Sequence, residues 1–298
     1  MGRKFTVVGV GEVLWDLLPE GKQLGGAPAN FAYISRLLGD RGIVASRVGD
    51  DDLGPEAVQR LKSLGVETSY VQRDDSHPTG TVNVQVDRQG QPRFTIHEGV
   101  AWDFLSWSKA WRDLARGADA VCFGTLAQRS SHSRRAIGQF LHATTAVRVF
   151  DVNLRQSFYS PEVLRESAAV ATIVKMNDHE LPVILQSLGL QRSDENIAAR
   201  QLLHLGPKLV CVTRGEKGSF LISGDGAVEH DGFTVRVKDT IGSGDAFTAA
   251  LVHEYLRGSS LEKMSDAANR MGSWVATQAG ATPVISSEEL RQRLAELK

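Results

Sequence analysis

Cysteine is scarce in this chain: among 298 residues there are two, Cys122 and Cys211. Both lie in apolar stretches, DAVCFGTL and KLVCVT, that read as buried strands, where reduced thiols behave as small hydrophobes. That excludes a disulfide-stapled scaffold and predicts a cytoplasmic protein. An excess of either charge is missing too, since 34 Lys+Arg stand against 35 Asp+Glu for a net charge of −1. With no sustained basic run, the chain lacks the footprint of a nucleic-acid or membrane-surface binder. No apolar run approaches the ~20 residues needed to cross a bilayer. The opening FTVVGVGEV shows no signal-peptide pattern, so neither a membrane nor a nucleic-acid partner is expected. Met1, Gly2 and Thr6 fit a loose myristoylation pattern, but Thr6 begins a strand-like run and that reading is set aside. Also absent are a G-x-x-x-x-G-K-[ST] P-loop, an H-E-x-x-H zinc motif, and the third glycine that Gly9 and Gly11 would need for a dinucleotide fingerprint. No linker, repeat or low-complexity tract divides the chain.

What is present is an ordinary globular composition, 42% hydrophobic and 23% charged, long enough for a sizeable core. Short β-rich runs (IVASRV, AVCFGTL, VRVFDVN, ATIVKMN, KLVCVT) alternate with helix patterns at Ala29–Leu38, Leu53–Leu64, His132–His142, Asn196–Leu205 and Ala246–Leu256. Continuous apolar strands separated by helices predict a parallel sheet covered on both faces, a three-layer α/β/α fold. One region breaks the rhythm. Thr81–Asp87 alternates strictly, Asp87–Gly90 supplies turn residues and Arg93–His97 resumes, which predicts an antiparallel hairpin. Being half polar, it reads either as a flap beside the strand ends or as a solvated surface hairpin.

The stretch Asp239–Ala250, DTIGSGDAFTAA, runs a small-residue turn into an Ala-rich helix. Gly242 and Gly244 flank Ser243 where unpaired N–H groups and the macrodipole favour an anion such as phosphate. Asp245 in that first turn reads equally as a complement to the dipole. A second Gly-rich turn, LGGAPAN at Leu24–Asn30, opens another helix after the segment Val7–Asp16. Gly25 and Gly26 let the backbone approach a small molecule, while Asp16 and Asn30 offer the acceptor and donor groups that read hydroxyls. Two such turns imply two ligand subsites.

These residues carry a resemblance. GGAPANFAYISRLLG with Gly49 downstream, and DTIGSGDAF near the end, resemble the two signatures of the PfkB (ribokinase-like) carbohydrate kinases. GDDDLG at 49–54, DVNLR at 151–155, NDHE at 177–180 and TRGEKG at 213–218 resemble further family segments, so the likeness spans nearly the whole chain. GEVLWD, GGAPAN, VAWDFL and DVNLR most resemble bacterial fructokinases. The resemblance implies a single ribokinase-like domain over 1–298, with a mostly parallel sheet and a small β-sheet lid from about 14–24 and 79–104. It implies transfer of the γ-phosphoryl group of ATP to a sugar hydroxyl, with Asp245 as base, Gly242, Ser243 and Gly244 as anion hole and Arg155 on the phosphates. A helix N-terminus is expected to keep Asp245 ionised. On the sugar it implies Asp16, Gly25, Gly26 and Asn30, with Phe94 and Trp102 as apolar lid contacts. On the nucleotide it implies Asn177, Glu180, Thr213, Gly215, Gly218 and Asn269, with Glu180 reaching Mg²⁺ through water. Asp239, the Ile241 carbonyl and Gly280 match the family's K⁺ site, although Ile241 and Ser243 depart from the commoner DTTGAGDAF. Asp16 and Asn30 include no cationic cluster for a second phosphate, which favours a free sugar, foremost fructose. A 2-keto-3-deoxygluconate kinase, ribokinase or nucleoside kinase shares the nucleotide side, and a sugar- or nucleotide-binding regulator without turnover is the rival of another class. Pairing of two copies through their flaps is a further implication of the resemblance.

Overall fold

A computed structural model describes residues 3–19, 21–86, 92–191 and 193–297, with the backbone alone at 84–86, 92 and 93. Its strands, in chain order, are β1 (Thr6–Val10), β2 (Leu14–Leu18), β3 (Gly21–Gly25), β4 (Arg41–Gly49), β5 (Glu67–Asp74), β6 (Gly80–Val86) and β7 (Pro92–Ile96). Then follow β8 (Ala120–Phe123), β9 (Val147–Asp151), β10 (Ile173–Asn177), β11 (Leu209–Thr213), β12 (Ser219–Ser223) and β13 (Gly226–His230). Nine of them form one sheet in the order β13-β12-β11-β10-β9-β8-β1-β4-β5. It is parallel except where β12 and β13 return antiparallel at one edge. The runs AVCF and LVCVT explain the parallel part, because every residue of β8 and all but the last of β11 is buried. That is what a sheet covered on both faces requires.

Two apolar layers flank the sheet, one holding Phe123, Phe140, Phe150 and Leu164, the other Phe31, Ile34, Phe247 and Met271. The second layer is built by helices Ala27–Leu37, Ser243–Tyr255 and Leu261–Ala276. Helix Ala27–Leu37 lies close on β4 because Gly42 has no side chain; a Cβ there would sit 1.9 Å from the Ala32 carbonyl oxygen. Cys122 and Cys211 are free and buried, and burial raises both thiols. No helix among the described residues is long and apolar enough to cross a membrane.

Strand order reverses between β1 and β8, since β1 is followed on one side by β4 and on the other by β8. In an open α/β sheet that reversal leaves a crevice beyond the carboxyl ends of the strands, where ligands bind. Over the crevice stands a second, four-stranded sheet in the order β3-β2-β6-β7. The expected hairpin is its β6–β7 pair, antiparallel with Val82 opposite Ile96; its turn, Asp87–Gly90, lies outside the described residues. The early segment joins it through the antiparallel β2–β3 pair and a parallel β2–β6 pairing, Leu14 opposite Gly80. Gln156, in the loop after β9, donates from Nε2 to the Phe94 carbonyl at 2.7 Å and so ties this sheet to the large one.

Candidate active site

Two cavities meet at the N-terminus of helix Ser243–Tyr255. One, of about 520 Å³, lies between the small sheet and the large one; the other, of about 440 Å³, lies beside helix Leu261–Ala276. Thr240 and Gly244 line both, so ligands in the two cavities would face each other across that helix end. Gly242 makes the turn into the helix at φ 78°, a left-handed conformation, and a Cβ there would lie 2.3 Å from that of Ala281. Of the three expected N–H donors, that of Ser243 is engaged by the Thr240 carbonyl at 3.2 Å. Its hydroxyl Oγ is instead buried with no hydrogen-bond partner among the described residues, a polar atom for which a phosphate oxygen would be a partner.

Asp245, in the first turn, lines the larger cavity and accepts a 2.8 Å hydrogen bond on Oδ2 from Asn30 Nδ2. Burial, reinforced by the Asp151 carboxylate, raises its pKa to about 6 against the opposing pull of Asn30, Lys175 and Arg155. This corrects the expectation from the helix dipole alone: desolvation outweighs the helix end. The result is a stronger base than an exposed aspartate, ionised in most molecules above pH 6.

Asp16, Gly25, Gly26, Asn30 and Phe94 line this same cavity, as the sequence predicts. Asp16, on β2, has its pKa raised to about 6 by burial, with Arg155 opposing and Asp239 adding to the rise. Asn30 Oδ1 is buried without a partner, an acceptor for a hydroxyl proton. Trp102 does not belong to the set. It is fully buried in a 3₁₀ turn, Ala101–Phe104, its indole nitrogen packs against Gly80, and the Arg129 guanidinium lies 4.0 Å from its ring centre. Arg129 is in turn held by both oxygens of Asp103. An indole so placed braces the base of the small sheet and reaches no ligand.

Three further residues of the site are not singled out in sequence, although Asp151 opens DVNLR and Glu12 lies in GEVLWD. Lys175, buried on β10, places Nζ 3.1 and 3.3 Å from the two oxygens of Asp151, and a side-chain carbon on Gly244 would lie 3.0 Å from it. Asp151 also accepts a hydrogen bond from Thr248 Oγ1 at 2.7 Å. The neighbouring carboxylates Asp151, Glu180 and Asp245 raise the Lys175 pKa against burial, so the ammonium stays charged. A buried lysine inside the apolar run IVKMN reads as an edge residue until its partner on β9 is known. Glu12, just past β1, is the third; it is 4% exposed and lines the larger cavity. Arg155 lines this cavity too and is exposed at its rim.

The smaller cavity is lined by Thr213, Gly215, Gly218 and Asn269, all four predicted, against an apolar wall that includes Phe233, Val237 and Phe247. Asn269 is fixed by hydrogen bonds from Nδ2 to Ser219 Oγ and the Ser265 carbonyl, both 2.8 Å. Asn177 and Glu180 are not among the residues lining either cavity. Glu180 instead accepts the backbone N–H groups of Leu154 at 2.7 Å and Asn177 at 2.9 Å. One N–H on each oxygen leaves lone pairs for an ordered water, which fits contact with a hydrated cation. Asp239 gathers the remaining predicted pair, accepting Ile241 N–H at 2.9 Å and Gly280 N–H at 3.0 Å.

A Gly-rich helix end between two cavities, a recessed carboxylate and a buried ammonium form a site for moving an anionic group between two small molecules. Residues 20–288 match the pfkB family carbohydrate kinases, and the chain belongs to that family. It is 32% identical to a fructokinase of Escherichia coli over 93% of this chain and 94% of that protein. Among solved structures it is similar to an uncharacterized sugar kinase of Pyrococcus horikoshii in complex with ATP, 27% identical, TM-score 0.81, covering 97% of this chain and 99% of that one. An aminoimidazole riboside kinase of Salmonella enterica, complexed with its riboside and an ATP analogue, is 25% identical, with a TM-score of 0.79 over 97% and 99% of the two chains.

Proposed function

We propose that this carbohydrate kinase transfers the γ-phosphoryl group of ATP to a hydroxyl of fructose bound in the larger cavity. The observation that carries the reading is the position of Asp245, which faces that cavity one residue beyond Gly244, where the two cavities meet. ATP occupies the smaller cavity, its base against Asn269 and the apolar wall and its phosphates directed at the helix N-terminus. As the sugar oxygen bonds to the γ-phosphorus and the bond to the β-phosphate oxygen breaks, Asp245 takes the hydroxyl proton and ADP leaves. Asn30 fixes the carboxylate. The N–H groups of Gly242 and Gly244, the Ser243 hydroxyl and Lys175 stabilise charge on the transferring group, and Arg155 holds it from the rim. Glu180 would hold Mg²⁺ through water, and the cation would supply neutralisation of the phosphate charge.

The preference for a free sugar rests on the lining. Glu12, Asp16 and Asp245 stand against Arg155 and a Lys175 already paired with Asp151, which leaves no cationic pair for a second phosphate. The small sheet serves as a lid that keeps water from the phosphoryl group. A second acceptor class, a riboside, is favoured by one observation: Leu14, Val82, Ile96 and Leu126 form an apolar wall against which a planar substituent would pack. K⁺ at Asp239, Ile241 and Gly280, a dimer through the lids and a cytoplasmic location complete the reading.

The test is ADP release by the purified protein with MgATP, in Na⁺ and in K⁺ buffer. The panel is fructose, glucose, ribose, 2-keto-3-deoxygluconate and adenosine, each against a control without acceptor. Fructose is expected to give the highest kcat/KM, and K⁺ to raise it. Another active acceptor would keep the mechanism and replace the substrate; silence throughout would overturn the reading.

A further inference from the structure

The larger cavity holds a carboxyl group for which phosphoryl transfer has no use. Glu12 follows β1 directly, is 4% exposed, and lines the cavity together with Asp16, Asn30 and Asp245. Its backbone packs on the cap of the helix that carries Asn30: a Cβ on Gly26 would lie 2.4 Å from the Glu12 carbonyl oxygen. It is therefore tied to the same helix end that orients the base. The groups that act on it or share its cavity are Asp245 from helix Ser243–Tyr255, Arg155 from the loop after β9, Asp16 from β2 and Lys175 from β10, with the Cys122 thiol nearby on β8. Of the two cations, Lys175 is paired with Asp151 and Arg155 sits exposed at the rim. No cation pairs with Glu12 among the described residues.

An ionised Glu12 would thus be a buried carboxylate set against Asp245, which must itself be ionised to accept a proton. Two like charges at one site do not both form readily, and the proton stays on the group that the chemistry leaves idle. The buried end of the cavity, away from Arg155 at the rim, is richer in acceptors than in donors, and a proton on Glu12 adds a donor there. Carboxyl groups and the unpartnered Asn30 Oδ1 supply that end with acceptors, while Asn30 Nδ2 gives one of its two N–H groups to Asp245, Lys175 is paired with Asp151 and Arg155 donates from the rim. Each sugar oxygen, by contrast, also needs donors.

We propose that Glu12 is a specificity-determining residue of the acceptor site: held as the neutral acid, it donates a hydrogen bond to an oxygen of the bound sugar. This rests on the assignment of the cavity to the sugar. Burial, with the Asp245 charge adding to it, raises the Glu12 pKa to about 7, whereas Asp16 and Asp245 titrate near 6. Near neutrality one cavity contains an ionised base and an acidic donor. Above pH 7 Glu12 ionises, the donor is lost, and the sugar must draw a proton back onto it to bind.

The experiment is calorimetric binding of the sugar accepted in the ADP-release panel, at pH 6.5 and pH 8, in buffers of differing ionisation enthalpy, alongside KM from pH 6 to 9. Wild type is expected to take up close to one proton per sugar at pH 8 and little at pH 6.5, with KM rising about a hundredfold from pH 6 to 9. Glu12→Gln keeps a neutral donor at every pH, so its proton uptake at pH 8 should vanish and its KM should stay flat. Glu12→Ala should raise KM about tenfold even at pH 6.5. Sugar binding by wild type without proton uptake at pH 8 would overturn the inference, whether or not the variants fold. So would an alkaline rise in KM that persists in Glu12→Gln. These readings concern Glu12 alone, because failure of the sugar-kinase reading shows itself earlier, as a panel with no acceptor.

Discussion

At the scale of single residues, the site is built on acids that hold their protons above the ordinary carboxylate range. Asp245, the proposed base, has its pKa raised to about 6 by burial, so kcat/KM is expected to fall with unit slope below pH 6, which a pH–rate profile with saturating MgATP would check. Replacing Asp245 by Asn should leave sugar and nucleotide binding close to normal while lowering kcat by roughly three orders of magnitude. Calorimetry and ADP release measure the two, and a near-normal rate would remove Asp245 from the mechanism. The same shift has a stability cost. A raised pKa stabilises the fold below its unfolded value near pH 4, and that contribution is lost as pH climbs through the folded value. Asp245→Asn should therefore melt above wild type at pH 8 and lose that advantage near pH 4 in thermal scans. Asp245 with its glycines, and Asn30, were legible as cavity residues because each sits at a Gly-rich turn that opens a helix, whereas Asp16, on β2, was legible only as an acid shortly before the second of those turns. Lys175 was not, since its meaning lies in Asp151, 24 residues away on the next strand. Glu12 was hidden by Asp16, which the same GEVLWD segment offers as the more obvious acid.

At the scale of elements, the helix Ala27–Leu37 must rest at a fixed height on the sheet for Asn30 to reach Asp245. Gly42→Ala would push a methyl carbon into the Ala32 carbonyl; overpacking of that kind costs about 1–3 kcal/mol. The expected result is a lower melting temperature together with a kcat loss greater than the change in ATP affinity, since the smaller cavity is built elsewhere. Gln156→Ala should act on the other side of the acceptor. With its tie to the Phe94 carbonyl removed, the sugar KM should rise several-fold while nucleotide affinity holds, as steady-state kinetics with each substrate varied would show. The hairpin β6–β7 was legible from strict alternation. That 14–24 would share a small sheet with it came from the resemblance, while the parallel β2–β6 pairing and its register were not legible, because nothing local in LWDLL states them. Trp102 was misread for the same reason: an aromatic beside a hairpin suggests a ligand contact, and only the packing against Gly80 and Arg129 shows a brace.

At the scale of the whole molecule, the fold is closed by contacts between its two ends. Asp40, 1% exposed on its side chain, lies 2.7 Å from His253 Nδ1 and accepts a hydrogen bond from Arg257 at 2.8 Å, and these two partners hold its pKa below the usual range against burial. A depressed carboxylate contributes stability above its unfolded pKa, near 4, that is lost as pH falls through its folded value, so this tie should fail only in acid. Asp40→Ala should cost about 3–5 kcal/mol in denaturant unfolding at pH 7. The layered architecture was legible from the alternation of continuous apolar strands with helices, but closure of this kind, with no trace in local pattern, was not.

The hydrogen bond from Asn30 to Asp245 spans 215 positions of sequence, and that from the Tyr33 hydroxyl to the Pro283 carbonyl spans 250. The catalytic centre is thus a long-range object. Its parts leave the ribosome at opposite ends of synthesis, and loop-closure entropy must be overcome before any of them meet. During translation the first half of the chain carries half a sugar site and no base at all, and in refolding from denaturant the return of activity should trail the return of helical signal.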